Sequence, residues 1–100
     1  MRRDRWSAVA SLATARSGHA TVAARGRLVV FGGEELDGGT TIEQVEAYDP
    51  AGDRWQPLPE MVTPRHGLGG VARRGRIYAI EGGPRPGLAF SGAIEYLDLP

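Results

Sequence analysis

The stretch that decides the fold is Leu28-Val29-Val30-Phe31-Gly32-Gly33, four apolar residues closed by a glycine doublet. A second version, Ile77-Tyr78-Ala79-Ile80, stands 49 residues later, and its doublet Gly82-Gly83 stands at an offset of 50. Continuous apolar runs of this length, bounded by glycine, are typical of strands buried on both faces. We therefore expect equivalent strands in two repeated units, with one residue inserted near Glu81.

The same spacing of 49 residues extends on both sides of these strands. Asp4-Arg5-Trp6 recurs as Asp53-Arg54-Trp55, and Val45-Glu46 matches Ile94-Glu95. Further matches at this spacing are Thr14 with Thr63, Arg16 with Arg65, Gly18 with Gly67, Val22 with Val71, and Gly26 with Gly75. Repeats of 20–50 residues are the sequence signature of propellers, solenoids and arrays.

Each unit is predicted to form short antiparallel strands. Residues 19–23 and 68–72 precede the apolar runs, and a glycine between them permits the positive φ of a tight hairpin. Residues 42–48 and 93–97 alternate as a third strand, and 55–58 form a fourth, stopped at the edge by Pro57 and Pro59. No stretch of useful length has a helical period. Four short strands in about 50 residues indicate a propeller blade.

These residues resemble the kelch repeat. The matching features are Leu28 to Gly33, then Val45-Glu46-Ala47-Tyr48-Asp49-Pro50, then Trp55, then Thr63-Pro64-Arg65 opening the next unit. The resemblance implies an all-β, kelch-type β-propeller segment with antiparallel four-stranded blades. The second unit departs from the pattern, with Leu97 at the Tyr position and Leu99 at the Pro position.

The unit boundaries imply two blades in a permuted frame. With strands named a to d from the central channel outward, residues 1–12 would be the outer strand of a preceding blade. Residues 13–61 would be a complete kelch-like blade, and 62–100 a partial blade lacking its outer strand. Because two blades cannot close a ring, three outcomes stay open: a trimer closing a six-bladed ring, a fragment of a longer propeller, or a marginal monomer.

Arg16 and Arg65 are the first candidate ligand contacts. In the kelch adaptors of ubiquitin ligases that the repeat resembles, Arg at this position lines a pocket for acidic peptides, and a guanidinium fork suits a carboxylate. The alternative is that each Arg caps a loop or pairs with a neighbouring acid. His66 follows Arg65 and matches Ser17 in the repeat, so we add both to the predicted ligand-binding set.

Composition narrows the classes of function. The formal net charge is zero, which predicts no nucleic-acid or membrane partner. The chain has no Cys, and its two His do not match each other in the repeat, so we expect no metal site and no cofactor. The N-terminus is a poor signal peptide, which predicts a cytoplasmic protein. Arg replaces Lys throughout, and we interpret this as the codon bias of a bacterial genome.

The predicted function is a kelch-repeat protein-binding or assembly module that takes an acidic peptide or protein through its d-a and b-c loops. No catalytic residues are predicted. Carboxylates at Glu34, Glu35 and Asp37 could serve acid/base chemistry or hold a cation, but we favour a solvated loop between strands b and c. The alternative function is part of a propeller enzyme that acts on sugars or sugar acids, as an epimerase does.

Overall fold

The computed structural model describes residues 4–35, 39–86 and 89–100. In this part of the chain it has nine β-strands and no helix. The strands are β1 (Ala20–Ala24), β2 (Arg27–Phe31), β3 (Glu34–Glu35), β4 (Thr40–Thr41), β5 (Val45–Asp49), β6 (Arg54–Leu58), β7 (Gly69–Arg73), β8 (Arg76–Ile80) and β9 (Ile94–Asp98). No helix among the described residues is long and apolar enough to cross a membrane.

The first sheet contains four antiparallel strands in the order β1-β2-β5-β6. Its β1–β2 turn has positive φ at Arg25 (53°) and Gly26 (73°), as a two-residue type I′ hairpin requires. The third strand begins at Val45 rather than at the predicted residue 42. Ile42 instead donates its backbone N–H to the Gly33 carbonyl, at 2.9 Å. A short hairpin of β3 and β4 fills the connection and had no counterpart in the prediction.

The second sheet contains three antiparallel strands in the order β7-β8-β9. Its first turn repeats the conformation of the other sheet, with φ of 54° at Arg74 and 79° at Gly75. The prediction of an all-β fold with antiparallel sheets is confirmed. Among the described residues, no strand pairs with the edge of β9 that faces away from β8.

Residues 4–12 are not paired as a strand within this chain, although residues 1–12 are predicted to be an outer strand. A strand needs a hydrogen-bonded partner, and no neighbouring strand lies beside this segment in the described part of the chain. Ala10 is held instead by the first sheet: its carbonyl accepts from Trp55 Nε1 at 2.8 Å, and its N–H donates to Asp53 Oδ1 at 2.9 Å. The divisions at 1–12, 13–61 and 62–100 stay predictions.

The core lies between the two sheets. We call the facing surfaces the inner faces, because successive residues of a strand alternate sides. The inner face of the first sheet presents Ala20, Val22, Val29, Phe31, Val45 and Ala47, and that of the second presents Ala72, Ile77, Ala79 and Leu97. The strands in closest contact across this core are β1 and β7.

Glu81 corrects the predicted register of the glycine doublets. The two positive-φ pairs are Gly32 and Gly33 (74° and 102°) and Glu81 and Gly82 (58° and 93°). The 49-residue spacing therefore continues unbroken, and the prediction of an inserted residue near Glu81 is wrong. Glu81 occupies the Gly32 position. At Gly32 a side chain has no room, since a Cβ would lie 2.7 Å from the Arg65 carbonyl oxygen.

Candidate functional site

Arg65 lies in the loop between the two sheets and points into the protein. Its side chain is 0 % exposed, and Nη2 pairs with Glu95 Oε2 at 3.2 Å. Nε donates to the Thr63 carbonyl and Nη1 to the Glu81 carbonyl, each at 2.9 Å. The remaining donors meet the carbonyls of Ala93 and Ala79. All five guanidinium N–H groups are therefore directed at acceptors within the chain.

Arg16 repeats this arrangement in the first unit. Its side chain is also 0 % exposed, and Nη2 pairs with Glu46 Oε2 at 2.7 Å. Nη1 donates to the carbonyls of Gly32 (3.0 Å) and Gln44 (2.8 Å). Glu46 also accepts the backbone N–H of Ala13 at 2.9 Å. Each Arg–Glu pair thus fastens the loop that leads into a sheet to the third strand of that sheet.

These two Arg–Glu pairs bear directly on the ligand-binding prediction. A guanidinium can grip an acidic peptide only if some of its donors face solvent, and here the donors face carbonyls and a buried carboxylate. The geometry favours the alternative prediction, in which each Arg caps a loop and pairs with a neighbouring acid. Removing one partner of a buried ion pair lowers the free energy of unfolding by about 3–5 kcal/mol.

Ser17 and His66 lie at equivalent positions and join loops to the ends of the second strands. Ser17 exchanges two backbone hydrogen bonds with Glu34, and His66 exchanges two with Gly83. His66 Nδ1 lies 3.2 Å from Glu34 Oε2, and Nε2 lies 2.8 Å from the Arg85 carbonyl. Since both oxygens only accept, both ring nitrogens donate only when the imidazole is protonated. His66 therefore connects the two sheets at this end of the molecule.

A polar groove lies beside Ser17. We call it the loop groove; it has a volume of about 650 Å³ and is lined by Ala13, Thr14, Ala15, Arg16, Ser17, Glu34 and Glu35. Its charged side chains differ in accessibility, because the Arg16 guanidinium is buried and Glu35 is exposed. The structure thus brings Arg16 and Ser17 to one groove, with His66 reaching its rim through Glu34. Arg65 does not line it.

A second, apolar cavity lies between the inner faces and was not predicted. We call it the edge pocket; it has a volume of about 230 Å³ and is lined by Phe31, Val45, Pro59, Glu60, Met61, Val62, Ile77, Ala79, Glu95, Tyr96 and Leu97. The pocket lies along β9, whose outer residues are exposed at Ile94 (63 %) and Tyr96 (57 %). The repeat of Trp6 and Trp55 at the 49-residue spacing was the sequence signal related to this pocket, because it indicates a second outer strand whose tryptophan needs a place to pack.

Three basic residues lie close together around the β7–β8 turn, at the opposite end of the second sheet. Arg73, Arg74 and Arg76 line a small cavity with Tyr78 and Asp98. Arg76 Nε donates to Asp98 Oδ1 at 2.7 Å, and its guanidinium carbon lies 3.9 Å from the centre of the Tyr96 ring. This hydrogen bond holds the pKa of Asp98 below its usual value and raises the pKa of Arg76.

No group of three or more potential metal ligands occurs in the described residues. Asp37, one of the carboxylates considered from sequence, lies outside them.

On the far side of the first sheet, Tyr48 donates its hydroxyl to Asp53 at 2.8 Å. The backbone N–H of Ala10, followed by this hydroxyl, lowers the pKa of Asp53, and the hydrogen bond to Asp53 raises the pKa of Tyr48.

The paired sheets define a class of protein, the antiparallel β-propeller, because short meanders of like register pack face to face around repeated loops. Comparison with protein families then identifies the repeat: residues 15–62 match the model of the Kelch motif. This motif, together with the antiparallel sheets, fits a segment of a kelch-repeat propeller, and it supports a protein-interaction module in general. No curated protein matches the chain.

Proposed function

We propose that the protein binds a partner polypeptide at the loop groove. The observation that carries this proposal is the Arg16–Glu46 pair, which fixes one wall of the groove to β5. The other wall is tied to Ser17 by two backbone hydrogen bonds at Glu34, of 3.2 and 2.8 Å. A groove whose walls are already ordered loses little conformational entropy when it binds a partner.

The charge of the partner follows from the accessible side chains. The acidic-peptide hypothesis requires Arg16 and Arg65 to be available to a ligand, whereas their guanidiniums are engaged inside the protein. Among the described residues that line the groove, the exposed charge is the Glu35 carboxylate. We therefore propose a partner segment that presents basic side chains, since complementary charge steers association and selects partners.

Two labelled peptides of equal length, one Arg-rich and one Glu-rich, test this proposal by fluorescence anisotropy with the intact chain. We expect the Arg-rich peptide to bind, with several-fold weaker affinity for Glu35→Gln. Glu43→Gln is the matched control, because Glu43 is exposed and does not line the groove. Preferential binding of the Glu-rich peptide would contradict the assignment of charge, and binding of neither peptide would contradict the groove itself.

Self-assembly is a second candidate function. The inner-face residues Val22, Val29, Phe31, Val45 and Ala47 are covered by the second sheet. Their counterparts 49 residues later lie on the opposite face of that sheet, where they are partly or largely exposed: Val71, Tyr78, Ile80, Ile94 and Tyr96. A further sheet of the same kind would cover them, as in the trimer that closes a six-bladed ring.

Light scattering behind a sizing column measures the mass and so tests assembly, with a sharp trimer as the expected result and a monomer as the contradicting one.

The enzyme alternative stays a prediction. It needs an acid, a base and an accessible Arg that converge on one substrate, and turnover of added sugar acids is its test.

A further inference from the structure

The outer edges of β5 and β9 differ, although the two strands are equivalent in the repeat. β6 pairs with β5 along five residues, from Val45 with Leu58 to Asp49 with Arg54. The corresponding edge of β9 has no strand beside it in the described part of the chain. An unpaired strand edge presents a row of backbone donors and acceptors that templates the addition of another strand.

Trp55 shows what an outer strand contributes besides pairing. Its ring lies 5.0 Å from the Tyr48 ring, and its indole N–H donates to the Ala10 carbonyl at 2.8 Å. The residues 49 positions after Ala10 and Tyr48 are Pro59 and Leu97. Both line the edge pocket. The edge pocket is therefore the place that the indole of an outer strand on β9 would occupy.

The rest of the pocket wall agrees with this equivalence. The lining residues Val62, Ile77, Ala79 and Glu95 stand 49 positions after Ala13, Leu28, Val30 and Glu46. In the first unit, Ala13 and Glu46 line a space of about 260 Å³ together with Trp55 itself. A mostly apolar cavity bordered by Pro59, the counterpart of Ala10, suits an indole, which is a large apolar ring with one N–H donor.

The sequence contains one other tryptophan, and it has the matching context. Asp4-Arg5-Trp6 repeats Asp53-Arg54-Trp55, and Val9 stands three residues after Trp6 as Leu58 does after Trp55. Trp6 is fully exposed. Such exposure is costly for the largest apolar side chain, and burial of an aromatic ring at an interface is a common source of binding energy.

We propose that residues 5–9 of a second copy add to β9 as an antiparallel strand and insert Trp6 into the edge pocket. This inference rests on the self-assembly proposed above and names its site. The register of β5 with β6 transfers directly: Trp6 would pair with Leu97, and Val9 with Ile94. The indole N–H would donate to the Pro59 carbonyl, as that of Trp55 does to Ala10.

The contact is head-to-tail, since the strand that is donated and the edge of β9 that accepts it are different surfaces of the chain. Heterologous contacts of this kind form rings when the rotation closes and filaments when it does not. The same arrangement occurs within one chain. There β6 is followed by residues 59–68 and then by β7, whose sheet covers the first sheet. A donor copy would continue from residue 9 into β1 by the same path and cover Ile94 and Tyr96.

The test uses the full chain and the variant Trp6→Ala, compared by light scattering behind a sizing column. Phe90→Ala is the matched control, because Phe90 is almost fully exposed and does not line the edge pocket. In a Trp55→Phe background, Trp6 is the remaining tryptophan, so its quenching by acrylamide reports its burial. We expect wild type and Phe90→Ala to form trimers with a protected Trp6, and Trp6→Ala to be monomeric.

The other outcomes separate the two proposals. Trimers of Trp6→Ala, or trimers of wild type with Trp6 open to acrylamide, would overturn the edge-pocket assignment and leave self-assembly intact. Monomers of wild type at every concentration would overturn both. A broad distribution of masses for wild type would show a contact that does not close, which contradicts the ring and the pairing register on which it depends.

Discussion

Replacing Arg65 by Met separates a structural Arg from a ligand-gripping one. Met keeps an unbranched apolar stem but removes the guanidinium and all five of its N–H donors. The Glu95 carboxylate would lose its ion pair, and the carbonyls of Thr63, Glu81 and Ala93 would lose their closest donor. Loss of one member of a fully buried pair costs about 3–5 kcal/mol, and because the Glu95 side chain is 25 % exposed, we expect the loss to lie near the lower end of this range. Small domains have about 5–15 kcal/mol in total, so the variant should be close to its unfolding threshold.

Urea unfolding followed by tryptophan fluorescence measures this loss as a lower midpoint at unchanged slope. Arg73→Met is the matched control, because Arg73 is exposed on the opposite turn, and we expect its change to stay within about 0.5 kcal/mol. If Arg65→Met does not fold, the milder Arg65→Lys keeps the charge but not the fork and still lowers the midpoint. A loss under about 1 kcal/mol for Arg65→Met would refute the structural role.

Two further predictions concern the backbone and the response to acid. Gly32→Ala and Gly26→Ala share a φ near 74° and 73°, but only the first Cβ would meet another atom, the Arg65 carbonyl oxygen; we expect Gly26→Ala to cost about 1 kcal/mol and Gly32→Ala clearly more in urea unfolding. Because the pKa of Asp53 is lowered in the folded protein, its stabilisation is present above the unfolded pKa of about 3.9 and is lost as pH falls through the folded value. Unfolding midpoints of Asp53→Asn should therefore depend less steeply on pH below about 4 than those of wild type, and equal slopes would contradict the role assigned to its hydrogen bonds.

The strands were predictable because their signals are local. Leu28 to Phe31 are apolar without interruption, and Gly26 and Gly75 mark the hairpins. The small β3–β4 hairpin was not predictable, since Glu34–Glu35 and Thr40–Thr41 carry no apolar alternation. The register at Glu81 was also missed, because glycine doublets suggest a positive φ more strongly than Glu does. There the backbone follows the Arg65 hydrogen bonds rather than the glycine spacing.

The candidate site was less predictable than the fold. Repetition placed Arg16 and Arg65 in equivalent loops, but sequence does not show in which direction a guanidinium points. Their acids, Glu46 and Glu95, lie 30 residues further along the chain and come close only through sheet pairing. The edge pocket forms between the two sheets, and how the sheets pack cannot be predicted from the sequence. The repeat of Trp6 and Trp55 was the sequence signal related to this pocket.

Glu81 has a consequence for symmetry. Inside the chain, Gly32 lets the loop at Arg65 approach so closely that the Gly33 N–H donates to the Arg65 carbonyl at 2.7 Å. A neighbouring chain that meets Glu81 finds a Cβ where this approach needs none, so it cannot settle at the same distance. In a ring of these chains, the two sheets within each chain would pack closely, and the sheets of neighbouring chains would pack at a greater distance. The ring would have three-fold and not six-fold symmetry. Under denaturant, the contacts between chains would dissociate before the contacts within each chain.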